Sequence, residues 1–432
     1  EEIPEAVKEL MVWMQTRPGG KEELGRLLPA AAAQKPSSGI GKLLAEQLYG
    51  RELYNSATRL ERFAGCAFAH FCQYGLQLQE REVYAFTPAD LGTVMHRALE
   101  IYSRILQEEG RSWRGLAEKD RKACADRALE AAVGGSGKDI LYDSGRGRYV
   151  TGQMREVLYR TVWALQTQIE HGDFSPADFE FSFYDDLQSA SFRLRDGAAM
   201  KLGGRIDRLD LCEKDGRTYV KIIDYKTGST AFDLNKLYYG LQLQLVLYMN
   251  AAVENEQKKH PGQDVEPAGI FYYHVDDPLI ESDTEKTEAQ QREEILRALR
   301  PDGRCRAEDE ILGLLDHDLQ KGASRSAVIP VEKKKDGGFR AGSKVADGDA
   351  FSLMRDYAAG KAEALGRGIL DGRTEADPYL YGETGSCTWC SYHDVCGFDE
   401  GLPGYEYRRI YKQTDDDLYP RIKQELENRK EG

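Results

Sequence analysis

The chain predicts an α/β fold: a core sheet flanked by helices, behind a large helical N-terminal portion. Two changes of hydrophobic period carry that expectation. Apolar residues recur at helical spacing through the first 170 residues, and after Pro176 they alternate as strands do. The pattern then returns to helix over Leu234 to Val253 and to a buried strand over Ala268 to His274, the order of an α/β core. With 41% hydrophobic and 10% aromatic residues among 432, the chain can bury a large core and does not read as disordered.

In order along the chain, Pro4 to Met14, Lys21 to Ala33 and Lys42 to Leu48 read as amphipathic helices, separated by Pro18-Gly19-Gly20 and Pro36-Ser37-Ser38-Gly39. Ser38 to Leu43 resembles a phosphate loop only in part. Pro36 replaces its first glycine and Leu43 the metal-binding hydroxyl, so that motif is rejected. Ser56 to Leu78 opens on a capping-box pattern, Thr58-Arg59-Leu60-Glu61, and Leu91 to Gln107 is a helix with His96 and Glu100 on one face. Helices follow at Leu116 to Ala132 and Thr151 to Glu170. Asp178 to Phe183, Ser191 to Arg195, Met200 to Leu211 and Tyr219 to Asp224 then read as a meandering sheet with polar turns. Asp276 to Leu319 is polar with helical stretches, Lys333 to Gly338 signals a hairpin turn, and Ala350 to Leu370 is a last long helix.

The formal charge of −14, from 59 basic and 73 acidic residues, excludes the broad basic face of an autonomous duplex-DNA binder. It leaves room for a nuclease with a local strand groove that takes basic surface from a partner. No apolar run approaches the ~18 residues of a membrane span. The first ten residues carry no secretion signal and no initiator Met, so a cytoplasmic piece of a longer protein is expected. Of eight cysteines, three crowd into ten residues, which reads first as a metal site.

The strongest chemical signal is Gly204-Arg205-Ile206-Asp207-Arg208-Leu209-Asp210, followed seventeen residues after Asp207 by Asp224-Tyr225-Lys226-Thr227-Gly228. Carboxylates at the ends of neighbouring strands can converge on a hard divalent cation, and Lys226 shares the face of Asp224 because strand side chains alternate. Such a cation polarises a phosphodiester and activates water, while Lys226 orients that water and offsets charge on the phosphorane. The bland alternative pairs Asp207 with Arg205 or Arg208 and makes Asp224 to Lys226 a charged strand end. In the following helix, Gln242, Gln244 and Tyr248 form a polar stripe that faces either the site or solvent.

Taken together, His96 in Gly92 to Glu100, the Gly204 to Asp210 block, Ile223-Asp224-Tyr225-Lys226-Thr227-Gly228 and Gln244-x-x-x-Tyr248 resemble the RecB-like nucleases of the PD-(D/E)XK superfamily. All four blocks occur in that family's order. The resemblance implies a restriction-endonuclease-like core sheet in which His96, Asp207, Asp224 and the main-chain carbonyl of Tyr225 surround Mg²⁺. It further implies that Lys226 is the catalytic lysine and that Gln244 and Tyr248 line the DNA-strand path. Glu180 either assists or is an exposed strand residue.

Cys387, Cys390 and Cys396 form a C-x2-C-x5-C array without a fourth cysteine nearby, and Cys66 stands 321 positions earlier. That layout is similar to nucleases with an iron-sulfur staple, and from about Ser56 to Phe398 the chain resembles the C-terminal part of the AddB family, second subunits of AddAB-type helicase-nucleases. The resemblance implies a [4Fe-4S] cluster on Cys66, Cys387, Cys390 and Cys396. It also implies a role in double-strand break repair and an AddA-type partner that supplies ATPase and a second nuclease. Zinc on these sulfurs or with His393, Cys72 as the fourth ligand, a nuclease-inactive scaffold, and a zinc interaction module are the competing readings. The expected organisation is a helical joint over 1–55, a nuclease domain over 56–400 with a surface insertion at 276–345, and a tail over 401–432.

Overall fold

The computed structural model describes residues 4–31, 39–81, 87–135, 145–183, 188–278 and 286–431. Helices α1 (Glu5–Thr16), α2 (Gly20–Ala31) and α3 (Lys42–Tyr49) form where spacing predicts them. The phosphate-loop look-alike lies partly outside the described residues. A strand without a sequence signal, β1 (Glu52–Asn55), precedes α4 (Ala57–Gly65). The N-cap of α4 is Ser56, whose hydroxyl accepts from Arg59 N, two residues ahead of the predicted Thr58 box, so Glu61 is free for other bonds. The chain turns extended at Cys66 and resumes as a short helix and a π-turn to Gly75.

Helix α5 (Pro88–Glu108) starts at a capping box of Thr87 and Asp90, and α6 (Glu118–Gly134) and α7 (Gly145–Glu170) complete the helical portion. Next come β2 (Ser175–Phe183), β3 (Ser191–Arg193), β4 (Ala199–Leu202), β5 (Gly204–Lys214) and β6 (Arg217–Lys226). The predicted single meander is two sheets. Met200 to Leu211 breaks at Gly203, and β4 leaves to pair with β1 and β3, while β5 joins the main sheet.

The predicted helix over Leu234 to Val253 is also two, α8 (Leu234–Tyr239) and α9 (Gln244–Lys259). Gly240 ends α8 in the left-handed region at φ 79°, a conformation that suits a residue without Cβ. Strand β7 (Asp264–His274) runs parallel to β6, and their near-continuous apolar run is what burial on both faces requires.

The segment 276–345 is not a surface insertion: it supplies β8 (Asp302–Arg306) and β9 (Val345–Ala346), which extend the sheet to the order β2-β5-β6-β7-β8-β9. After α10 (Gly348–Leu370) come β10 (Tyr379–Tyr381), β11 (Thr384–Gly385), β12 (Arg408–Ile410) and α11 (Asp415–Glu431). The last two correct the reading of 401–432 as a tail. β12 pairs with β10, and Leu418 and Ile422 of α11 are fully buried in the core.

The result is three layers. One face of the six-stranded sheet packs against α4, α9, α10 and α11 through residues such as Leu60, Leu245, Met354 and Leu418. The other packs against α5, α6 and α7 through Met95, Leu129 and Leu158.

Candidate active site

The β5–β6 ladder is antiparallel and its last recorded pair toward the open end is Arg208 with Ile223. One step beyond, the register sets Asp207 opposite Asp224, where the strands part. Asp207 accepts the Tyr225 N–H at 2.7 Å, which fixes its carboxylate at the rim, and only 9% of Asp207 and 2% of Asp224 are exposed.

Side-chain alternation puts Lys226 on the face of Asp224, and its Nζ stands 2.5 Å from Asp224 Oδ2. Gln244, in the first turn of α9, ties the pair together. Its amide donates to Asp224 Oδ1 at 2.7 Å and its oxygen accepts from Lys226 at 3.2 Å.

His96 arrives from the opposite layer. Its Nδ1 lies 3.2 Å from Asp207 Oδ2. One helical turn earlier, Gly92 lets α5 approach the end of β6 so closely that a Cβ would stand 2.9 Å from Thr227 Oγ1. Gly92→Ala should therefore displace His96 and raise the cation concentration needed for half-maximal cleavage by roughly tenfold, the scale of lost support around a metal ligand. A cation titration checks this.

Glu180 completes the cluster. Register places it across from Asp207, and its φ of +54° is an uncommon strand conformation that turns it toward the site. The ligand atoms of His96, Glu180 and Asp207 lie within 4.8 Å of one another, beside a cleft of about 540 Å³ lined also by Gly92, Arg97 and Arg205. Glu180 thus stands beside Asp207 and His96 and is not an exposed strand residue.

Burial, then the Asp207 charge, pushes Asp224 up to about 6 and Glu180 up to about 7. Burial opposes charge on His96, but Asp207 and Asp224 hold it above its usual value. Carboxylates packed this closely around one imidazole make a donor set suited to a divalent cation. The bland alternative fails on partners: Arg208 binds Asp210 bidentately at 2.6 and 2.7 Å, and Arg205 pairs with Glu180.

Two expectations about the polar stripe change. Gln242 lies between α8 and α9, where it bonds Ala231 O and Asp233 N rather than the site. Tyr248 is only 7% exposed, edge-on to Phe183 at 5.4 Å, so it offers a wall and not a free stacking face.

Glu61 is the residue that sequence reasoning spent on a helix cap. Its Oε1 accepts the N–H groups of Leu243 and Gln244 at 2.6 and 2.9 Å, anchoring the start of α9 and hence the Gln244 bridge. Burial pushes its carboxyl up to about 7 against those bonds. Both bonds reach one oxygen, which an amide reproduces. Glu61→Gln should keep near-normal turnover, whereas Glu61→Ala should orphan two donors at roughly 1–3 kcal/mol each and lower kcat about tenfold or more. Single-turnover rates of the two variants separate these outcomes.

At the other end of α4, the distant cysteine segments meet. Arg62 Nη2 lies 3.9 Å from Cys390 Sγ, Ser386 Oγ donates to Gly65 O at 2.6 Å, and Tyr392 donates to Leu78 O at 2.9 Å. Burial pushes the Cys66 thiol up to about 11. Burial also raises the fully buried Cys72, with a further push from Cys396 and Cys390. Among the described residues, no three cysteine sulfurs lie within 4.8 Å of one another.

Among curated proteins, the chain is 38% identical over 416 residues to an ATP-dependent helicase/deoxyribonuclease subunit of Lachnoclostridium phytofermentans, covering 94% of this chain and 35% of that protein. The protein of the same name from Thermoanaerobacter sp. strain X514 is 33% identical over 88% of this chain and 33% of its own length. That from Clostridium perfringens strain SM101 is 31% identical over 98% and 37%. The chain thus spans about a third of the length of these relatives. The family model of the PD-(D/E)XK nuclease superfamily matches residues 54–397, a stretch that holds every residue of the rim just described. On that match, the chain belongs to the PD-(D/E)XK nuclease superfamily.

Proposed function

We propose that this chain hydrolyses DNA phosphodiesters with Mg²⁺, as the nuclease portion of an AddAB-type helicase-nuclease in double-strand break repair and recombination. The observation that carries it is the convergence of His96, Glu180 and Asp207 beside the Asp224–Lys226 pair at one strand rim.

His96, Asp207, Asp224 and the Tyr225 carbonyl would hold the cation, with Glu180 close enough to assist. When bound, the cation polarises the scissile phosphate and lowers the pKa of a coordinated water. The residues do the rest. Gln244 holds the Lys226 ammonium against Asp224, where it can position the attacking water and offset charge growing on the phosphate oxygens. Gln244 and Tyr248 form the inner wall of the strand path.

A [4Fe-4S] cluster on Cys66, Cys387, Cys390 and Cys396 would clasp the two ends of the nuclease region. The contacts of Arg62, Gly65 and Leu78 with residues 386–392 support it.

The partner in this reading is an AddA-type subunit that unwinds DNA and delivers a single strand, in the cytoplasm. No described helix is long and apolar enough to cross a membrane. Residues 1–55 serve as a joint to the rest of the protein, in keeping with the exposed Leu10, Trp13, Leu27 and Leu44. The nuclease unit over 56–400 takes in 276–345 as sheet and core, and α11 braces it.

Removal of divalent cations tests the reaction. Chelator-treated chain should not cut end-labelled single-stranded DNA, and added Mg²⁺ should restore cutting. Cleavage that persists in chelator would refute the metal-dependent reading.

A further inference from the structure

A second cluster of ligating side chains lies away from the strand rim, where the C-terminal end of α7 meets residues 309–320. Two short helices, Asp309–Leu315 and His317–Gln320, join at Asp316. His171, just past α7, aims Nδ1 at this joint, 3.5 Å from Asp316 Oδ1 and 3.6 Å from Asp318 Oδ2. The ligand atoms of the three residues lie within 4.8 Å of one another.

Two independent features separate this cluster from an ordinary surface charge pair. Asp316 is 0% exposed, yet its Oδ2 has no hydrogen-bond partner, although a buried carboxylate oxygen without one is costly. Its other oxygen, Oδ1, accepts the Asp318 N–H at 3.0 Å, so Oδ2 is the acceptor left over at this joint. The second feature is separation. At 3.5 and 3.6 Å the imidazole nitrogen is too far for a good hydrogen bond to either acid. Ligands about 2.1 Å from a tetrahedral ion stand about 3.4 Å apart, close to the spacing found.

The backbone at this joint is already fixed. Asp173 N donates to Leu314 O and His317 N to His171 O, both at 2.7 Å, and His317 Nε2 pairs with Asp173 Oδ1 at 2.8 Å. Lys321, 3.4 Å from Asp318 Oδ1, is the competing cation, and it is largely exposed and free to swing away.

We propose that His171, Asp316 and Asp318 form a structural site for a first-row divalent cation, pinning α7 to residues 309–320. One imidazole and two carboxylates are donors that Mn²⁺ and Zn²⁺ both accept readily. Because the cysteines would also take zinc, Mn²⁺ is the cleaner probe.

The test is the number of Mn²⁺ ions bound by the chelator-treated chain, counted by electron paramagnetic resonance. His171→Gln and Asp318→Asn, both at partly exposed positions, should each lower it by one. Spin-echo spectra should lose one imidazole nitrogen signal in both variants, because the ion that reports it leaves in each. Added Mn²⁺ should raise the melting temperature of an Asp207→Asn variant but not of that variant carrying His171→Gln. Unchanged stoichiometry in both single variants, or identical Mn²⁺-induced melting shifts with and without His171, would overturn the site.

Discussion

Lys226→Ala should lower the rate of single-stranded DNA cleavage by at least about 10²–10³-fold, the usual cost of removing one aimed charge from a transition state. The protein should still fold and bind its cation. Lys226 is partly exposed, and its ammonium meets Asp224 and Gln244 at 2.5 and 3.2 Å and lies over the Tyr272 ring. Asp207, His96 and Glu180 are held together by other contacts, the Tyr225 N–H to Asp207 and the approach of His96 to Asp207. The loss should therefore fall on kcat, with DNA affinity within about threefold of wild type. Lys226→Arg should not rescue, because a planar guanidinium cannot occupy the point between Asp224 and Gln244 that one ammonium fills. Rapid-quench turnover alongside equilibrium DNA binding separates the two effects.

Cys66→Ala should strip the cluster and open the clasp between α4 and residues 386–396. Structural metal supplies ~10 kcal/mol or more in small domains. Here Ser386, Tyr392 and Arg408 still bridge the two segments through Gly65 and Leu78, so a loss on the order of 5 kcal/mol is expected, near 10 °C in melting temperature at roughly 2 °C per kcal/mol. Cys72→Ala should leave iron content and melting temperature close to wild type, although Cys72 also lies near Cys390 and Cys396. Iron and sulfide analysis of the two variants, purified without oxygen, distinguishes the ligand from its neighbour. Loss of iron in Cys72→Ala but not in Cys66→Ala would reassign the fourth thiolate.

The two central strands were legible because β5 and β6 combine alternation with a buried run and end in acids. What escaped was set by partners distant in sequence. β1 exists only because Glu52 to Asn55 pair with Ala199 to Leu202. β8 reads as surface because Asp302 to Arg306 is charged, yet it is buried: Arg304 pairs with Asp415 of α11, and Arg306 with Glu266 and Glu308. The C-terminal helix hides in the same way, with few apolar anchors among acids.

At the rim, His96, Asp207, Asp224, Lys226 and Gln244 were singled out by spacing and resemblance, and the fold brings them together. Glu61 was hidden by a plausible capping pattern, although Ser56 offered a better cap two residues earlier. Glu180 depends on a positive φ that nothing local foretells. The break before α9 did carry a signal, Tyr239-Gly240, outweighed by the apolar run on either side.

The most direct measurement of the central claim is a Mg²⁺ titration of end-labelled single-stranded DNA cleavage by the anaerobically purified chain and its Asp224→Asn variant. The wild type should cut with saturable dependence on Mg²⁺, and Asp224→Asn should lose cleavage at every concentration. Equal cleavage by both would place the chemistry elsewhere, and none by either, with Mg²⁺ bound to the wild type, would make this rim a scaffold and not a catalyst.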